Sequence, residues 1–176
     1  LTIWVYYFFR DPERFPINDE NYLLSPADGI VSQITEVNGP IEIGLENKKY
    51  TRVSIFMNVF NCHVNRSPSS GEISEILYKP GKYINASFDK ASEENERNYV
   101  KIKNTNGDEL VLVQIAGLIA RRIVCEISEK EKIKQGDKFG IIKFGSRVDL
   151  YFENYQLLVQ QNQKTIAGET LIAKKK

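Results

Sequence analysis

The chain has 176 residues, which fits one domain of ordinary size. Lysine and arginine total 24, and aspartate and glutamate total 23. The formal net charge of +1 therefore disfavours a nucleic-acid-binding groove, which needs a basic excess. The two cysteines are too few for a disulfide framework, and we interpret them as reduced thiols. His63 is the only histidine, and because no CxxC or HExxH spacing occurs, no metal site is predicted.

The first nine residues, LTIWVYYFF, are almost wholly apolar and are followed by Arg10 and Arg14. Nine residues are too few to cross a bilayer as a helix, which takes about 20. Because the chain begins with Leu1 and not with Met, the segment is either the end of a membrane anchor or an amphipathic element packed on the core. Its aromatic side chains suit a membrane interface, and the two arginines suit the cytoplasmic side. We therefore predict a membrane-proximal segment and connector over residues 1–22.

From residue 23 onward, short apolar runs alternate with turn signals such as Asn106-Gly107 and Gly136-Asp137. Eight to ten short strands at this spacing predict one β domain, a sandwich or a barrel, over residues 23–176. The charged segment 89–98 lacks apolar periodicity and predicts a short helix or a turn.

Several residues could carry chemistry, but none of them decides a function alone. His63 lies beside a cysteine in a strand-like run, where neighbours point to opposite faces and cannot form a nucleophile–base dyad. The pairs Asp28-Gly29 and Gly145-Ser146 are also ordinary turn dipeptides. Arg121 and Arg122 interrupt an apolar run, so in a strand one of them faces inward or toward an anion.

Six motifs occur in this order: FFRDPERFP, LLSPADGIV, FMNVFNCHVNRSPSSG, PGKYINASFDKASEENER, VQIAGLIARRIVC and IIKFGSRVDLY. Together, from about Phe8 to Tyr151, they resemble the phosphatidylserine decarboxylase family, and its short form in particular. The resemblance implies a proenzyme that cuts itself between Gly145 and Ser146. The serine hydroxyl attacks the glycine carbonyl, and the resulting ester eliminates and hydrolyses to leave a pyruvoyl group. Its ketone forms a Schiff base with phosphatidylserine and accepts electrons as carbon dioxide leaves, giving phosphatidylethanolamine without pyridoxal phosphate or metal.

The resemblance also assigns the other site residues. Asp28 matches the aspartate of the serine-protease-like relay that drives self-cleavage in the long members. His63, five residues before Pro68, matches the decarboxylation histidine. Arg66 stands where those members have the relay histidine, so either His63 serves both steps, or Arg66 stabilises the oxyanion and another group takes the proton. Cations are needed for the substrate phosphate and carboxylate. The candidates are Arg10, Arg14, Arg52, Arg66, Arg121 and Arg122.

The implied architecture is a biotinyl/lipoyl-like barrel-sandwich core, with LTIWVYYFF as the remains of a membrane anchor on the cytoplasmic side. The implied partners are the phospholipid substrate, the membrane surface and the chain's own two fragments, 1–145 and 146–176, alone or in a further dimer. Three alternatives stay open. One is a carrier or phosphocarrier β domain that uses Lys48-Lys49 or His63. The others are a degenerate proenzyme that binds lipid without cutting, and a decarboxylase of a related serine lipid such as an ether-linked archaeal one.

Overall fold

The computed structural model of the chain describes residues 2–82, 94–117, 122–143 and 146–176, which are mainly β, as predicted. The helix α1 covers Thr2–Phe8, and a 3-10 turn covers Ile41–Ile43. The strands are β1 Tyr22–Leu24, β2 Gly29–Asn38, β3 Lys49–Met57, β4 Val64–Arg66, β5 Gly71–Lys79, β6 Arg97–Asn104, β7 Glu109–Ala116, β8 Arg122–Cys125, β9 Lys132–Ile133, β10 Lys138–Lys143, β11 Ser146–Phe152, β12 Tyr155–Leu157, β13 Lys164–Thr165 and β14 Leu171–Lys175.

The strands form one large sheet and two small ones. The large sheet has the order β13-β2-β3-β11-β7-β6-β5-β9, and the small sheets have the orders β1-β14-β12 and β4-β10-β8. Strand β11 lies near the middle of the large sheet, antiparallel to β3 along its whole length and to β7 along nearly all of it. The predicted hairpin at Asn106-Gly107 is confirmed, because it joins β6 to β7 and Gly107 has a φ of 82°.

Alternation along β11 sends its side chains to two different clusters. Val148 and Leu150 join the main hydrophobic core, whereas Tyr151 joins a second cluster on the other face, which Ile43 of the β2–β3 connection covers. Since successive strand residues point to opposite faces, Ser146 shares the main-core face with Val148 and Leu150. The fold therefore directs the side chain at the start of β11 into the interior of the domain.

The structure corrects two expectations about the elements. The described residues contain fourteen strands and not eight to ten, because strands of two or three residues, such as β9 and β13, are too short to show alternation. The predicted helix or turn over 89–98 falls partly outside the described residues, and its last two residues already belong to β6. The division at residue 22 and the biotinyl/lipoyl-like architecture stay predictions.

The N-terminal segment does form a short helix. Helix α1 has seven residues, and within the described ranges no helix is long and apolar enough to cross a membrane. Phe8 at its end is wholly buried, whereas Tyr6 and Tyr7 are exposed. One edge of the segment therefore packs on the domain, and aromatic side chains remain at the surface.

Candidate active site

Ser146 opens the central strand β11. Its Cα is paired with Met57 on β3 and with Ala116 on β7. The side chain is wholly buried, and its Oγ has no hydrogen-bond partner among the described residues. Gly145, the predicted partner in cleavage, lies outside the described residues. Ser146 thus combines a rigidly held backbone with an oxygen that no described donor or acceptor engages.

His63 lies in a turn just before β4. The apolar run had predicted a strand at this position, and that prediction is wrong. The run is interrupted because the Asn58 side chain accepts a hydrogen bond from the Phe60 amide at 2.8 Å, and the Asn61 side chain accepts one from the Asn58 amide at 2.9 Å. These local bonds compete with strand pairing. The thiol of the cysteine beside His63 donates to the carbonyl of Arg10 at 3.2 Å.

The His63 imidazole is held as a neutral, buried base. Its Nδ1 lies 2.9 Å from the carbonyl oxygen of Asn61, and because a carbonyl only accepts, Nδ1 carries the hydrogen. The ring packs on Phe8 with 4.3 Å between centroids. Burial is the main cause that lowers the pKa of His63 from 6.5 to about 4. Nε2 has no hydrogen-bond partner in the described chain and keeps its lone pair at neutral pH.

Strand pairing places His63 beside the segment that leads to the cleavage site. Strand β4 pairs with β10, so that Val64 lies opposite Ile141. The amide of Ile142 donates to the carbonyl of His63 at 3.4 Å. Since Ile142 precedes Ser146 by only four residues, the backbone of His63 is bonded to the strand that leads toward Ser146.

Asp28 is bound to an arginine from the N-terminal segment. Nη2 of Arg14 lies 3.0 and 2.8 Å from the two carboxylate oxygens of Asp28, and the amide of Ala167 donates to Oδ1 at 2.8 Å. Both side chains of this ion pair are more than four-fifths buried. No described hydrogen bond or ion pair joins Asp28 to His63 or Ser146, so its relay role stays a prediction. From the sequence, Arg14 was predicted to mark the cytoplasmic side and to be a candidate cation for the substrate, but not to be a partner of Asp28.

Arg66 also ties the N-terminal segment to the domain. It forms an ion pair with Asp11 at 2.9 Å and donates to the carbonyls of Gly136 at 3.0 Å and Pro12 at 3.2 Å. Lys138 binds the same aspartate. These contacts occupy Arg66, and its proposed roles toward an oxyanion or the substrate stay predictions.

The other candidate cations have separate positions. Arg52 is paired with Tyr151, on the face of the large sheet opposite to Ser146, and donates to Gln33 at 2.6 Å. Arg122 begins β8 and is exposed. Arg121 lies outside the described residues. Arg10 donates to the carbonyls of Tyr7 and Phe60 at 2.8 and 3.0 Å, next to the turn that carries His63.

Residues 2–15, here called the N-terminal strap, cover the predicted site at three points. The contacts are Phe8 on His63, Asp11 on Arg66, and Arg14 on Asp28. The sequence indicated none of these pairings, because they join residues far apart along the chain. The strap therefore belongs to the site and is more than a connector.

A row of three buried amide side chains near Ser146 was also not predicted from the sequence. It consists of Asn65, Gln114 and Asn98. A glutamine inside the apolar run ELVLVQIA was the available signal, since a buried amide requires partners. No group of three or more metal-ligating side chains occurs in the described ranges.

Comparison with known proteins identifies the family. The model of the family described as phosphatidylserine decarboxylase matches residues 1–173. A protein named phosphatidylserine decarboxylase proenzyme from Pelagibacter ubique is 70% identical over 175 residues, which cover 99% of this chain and 81% of that protein. Proteins of the same name from Ruegeria pomeroyi and Rickettsia typhi are 52% and 53% identical over 174 residues, 98% of this chain and 80% and 75% of theirs. The resemblance of the six motifs is thereby confirmed, and the chain belongs to the phosphatidylserine decarboxylase family.

Proposed function

We propose that this chain is a proenzyme that cuts itself between residues 145 and 146 and then decarboxylates phosphatidylserine to phosphatidylethanolamine. The observation that carries the proposal is the state of Ser146, which is wholly buried at the start of a central strand with its Oγ unengaged by described residues. The proenzyme names of the relatives support the same conclusion.

The surroundings of Ser146 fit a pyruvoyl group formed from that residue. The position is wholly buried, and the two residues paired with it, Met57 and Ala116, offer an apolar thioether and a methyl group. When present, the group supplies an electron-accepting ketone attached to the protein itself. The ladder bonds of β11 to β3 and β7 fix the backbone of residue 146, so that a new chain terminus there stays in place after the cut.

His63 is proposed to move a proton during decarboxylation. A base with a pKa of about 4 remains neutral at pH 7, so Nε2 is available to accept a proton without first losing one. Replacing His63 with alanine should leave self-cleavage intact and reduce turnover by about 10²–10⁴-fold, the usual effect of removing a general acid or base. An uncut His63→Ala chain would instead show that His63 also serves the cleavage step.

The surface around α1 supports action on a membrane. Tyr6, Tyr7 and Phe9 are exposed on or beside the helix, and Phe60 is 63% exposed in the turn that carries His63. The Lys143 ammonium lies 5.8 Å from the centre of the Phe9 ring. Aromatic side chains mixed with cations suit the interface of an anionic membrane, here proposed to be the cytoplasmic face of the cell membrane.

Vesicle binding tests this surface directly. Tyr6→Ser and Phe60→Ser should each weaken co-sedimentation with vesicles that contain phosphatidylserine. Tyr78→Ser is the matched control, because Tyr78 is 53% exposed but lies on β5 and not on α1 or in the turn that carries His63. Equal losses in all three variants would contradict a specific membrane-facing surface.

Protein mass tests the self-cleavage. The intact chain has a mass of 20.2 kDa, and the proposed cut yields fragments 1–145 and 146–176 that remain associated. Ser146→Ala should stay whole and inactive, whereas Ser54→Ala, at another wholly buried serine of the same sheet, should be cut normally. A chain that releases carbon dioxide from phosphatidylserine while remaining intact would refute the proposal. Parallel assays with ether-linked serine lipids would separate the related substrate class.

A further inference from the structure

Three buried amide side chains form a hydrogen-bonded row inside the domain. Nδ2 of Asn98 donates to Oε1 of Gln114 at 3.0 Å, and Nε2 of Gln114 donates to Oδ1 of Asn65 at 2.9 Å. The row ends where Nδ2 of Asn65 approaches the sulfur of Met57 at 3.7 Å. All four side chains are at most 2% exposed. The row joins β6, β7 and β4 in the interior.

The end of this row lies next to Ser146. Met57 is directly opposite Ser146 in the pairing of β3 with β11, and directly paired side chains share a face with about 5 Å between Cβ atoms. Gln114 is opposite Val148, two residues further along the same face of β11. Ala116, the other residue paired with Ser146, carries only a methyl group. The Asn65 amide therefore contacts a side chain that lies beside Ser146 on the same interior face.

The hydrogen-bonding needs of Asn65 and Ser146 are complementary. The Asn65 amide nitrogen has two hydrogens, but its one acceptor among the described residues is a thioether, which accepts weakly. Leaving a buried donor without a good acceptor costs about 1–3 kcal/mol. Ser146 Oγ is a buried oxygen without a described donor. One group lacks an acceptor and the other lacks a donor, and they lie on the same patch of the interior.

We propose that the side-chain amide of Asn65 donates a hydrogen bond to the Ser146 oxygen as negative charge develops on it during self-cleavage. Gln114 and Asn98 act as positioning residues. Gln114 donates to the Asn65 carbonyl oxygen, which leaves the Asn65 NH₂ group turned toward Met57, and Asn98 holds Gln114 by donating to its carbonyl oxygen. This assignment rests on the self-cleavage proposed above. A preorganised donor in a dry site stabilises developing charge, and losing one such donor typically slows a reaction by about 10²–10³-fold.

Two substitutions at Asn65 separate a chemical role from a structural one. Asn65→Leu removes both donors, so self-cleavage should slow by about 10²-fold or more, and its pH–rate profile should move to higher pH because the alkoxide is harder to form. Asn65→Asp keeps the shape and the bond from Gln114. Its ionised form repels the alkoxide and its protonated form donates, so cleavage should slow as pH rises through the pKa of the new carboxyl group.

The measurement is the half-time of cutting on denaturing gels between pH 5 and 9, for freshly made precursor. Asn104→Ala is the matched control, since Asn104 is a buried amide at the far end of β6 whose Nδ2 donates to the Tyr155 hydroxyl at 2.9 Å. It should lower stability but leave the rate and pH profile of cutting unchanged. Thermal unfolding of each variant in an uncut Ser146→Ala background checks that it folds.

The outcomes distinguish the role of Asn65 from the proposed self-cleavage on which it rests. If Asn65→Leu is cut at the natural rate, or if Asn65→Asp shows the natural pH profile, the assignment is wrong. If Asn65→Leu fails to fold, the pH profile of Asn65→Asp decides alone. A natural chain that never cuts would overturn self-cleavage itself, and this assignment with it.

Discussion

Protonation of His63 should destabilise this protein in mild acid. Burial lowers the pKa of His63 in the folded chain from 6.5 to about 4, so the unfolded chain takes up a proton first as the pH falls. Stability contributed by the neutral ring is complete above pH 6.5 and is lost progressively as the pH falls toward 4. Ser146→Ala should serve as the background, because the uncut chain unfolds without dissociating into two fragments.

The size of the effect follows from the pKa difference. Each pKa unit corresponds to 1.36 kcal/mol, so moving the pKa from 6.5 to about 4 makes about 3 kcal/mol of the unfolding free energy depend on pH. His63→Gln has no such proton linkage. The difference between the unfolding free energies of the two proteins should therefore shrink by about 3 kcal/mol between pH 7 and pH 4.

Urea unfolding at several pH values measures that difference, and proton NMR measures the pKa itself. Because the chain has one histidine, a single imidazole signal reports the titration. Phe8→Ala should raise the pKa toward 6.5, since Phe8 is wholly buried and packs on the imidazole. An imidazole signal that titrates near 6.5 in the natural sequence, or a free-energy difference independent of pH, would refute the reasoning.

Three further predictions concern the support of the site. Gly140→Ala should lower the unfolding free energy by about 3 kcal/mol in thermal melts, because a Cβ there would lie 2.3 Å from the carbonyl oxygen of Val124. Tyr155→Phe should cost about 1–2 kcal/mol in urea unfolding, because the Tyr155 hydroxyl donates to Asp108 at 2.8 Å. The Cys62 thiol should react slowly with iodoacetamide at pH 8 until the chain unfolds, because burial is the main cause that raises its pKa.

The predictions for Tyr155 and Cys62 have controls. Tyr6→Phe changes a tyrosine that is 79% exposed and should leave urea unfolding unchanged. Cys125→Ser leaves Cys62 as the one thiol, so that mass spectrometry follows a single reaction. An unaltered melting temperature in Gly140→Ala would mean that β8 and β10 separate at little cost, and rapid alkylation of the folded Cys62 would mean that the strap opens readily.

The mainly β class of the fold was easier to predict from the sequence than the contacts around Ser146, whose role stays a prediction. Strands such as β7 were predictable because their apolar residues extend over eight positions. The pair of Arg14 with Asp28 was not predictable, since it depends on how the connector packs against the domain. The turn before His63 was missed because the apolar run concealed two asparagines whose side chains bind the backbone. The local sequence pattern indicates which residues alternate between the two faces of a strand. Tertiary packing decides which polar groups become hydrogen-bond or ion-pair partners.

The central place of β11 has a consequence for the lifetime of the proposed mature protein. The fragment 146–176 supplies β11 between β3 and β7, β13 to the edge beside β2, and β14 beside β1. A single chain can fold into this arrangement, but after the cut, renaturation becomes an encounter of two molecules. Without the fragment 146–176, the larger fragment exposes the edges of β3 and β7, and long exposed strand edges favour aggregation. Maturation would thus make unfolding a one-way event, and the barrier to unfolding would then determine how long the enzyme persists.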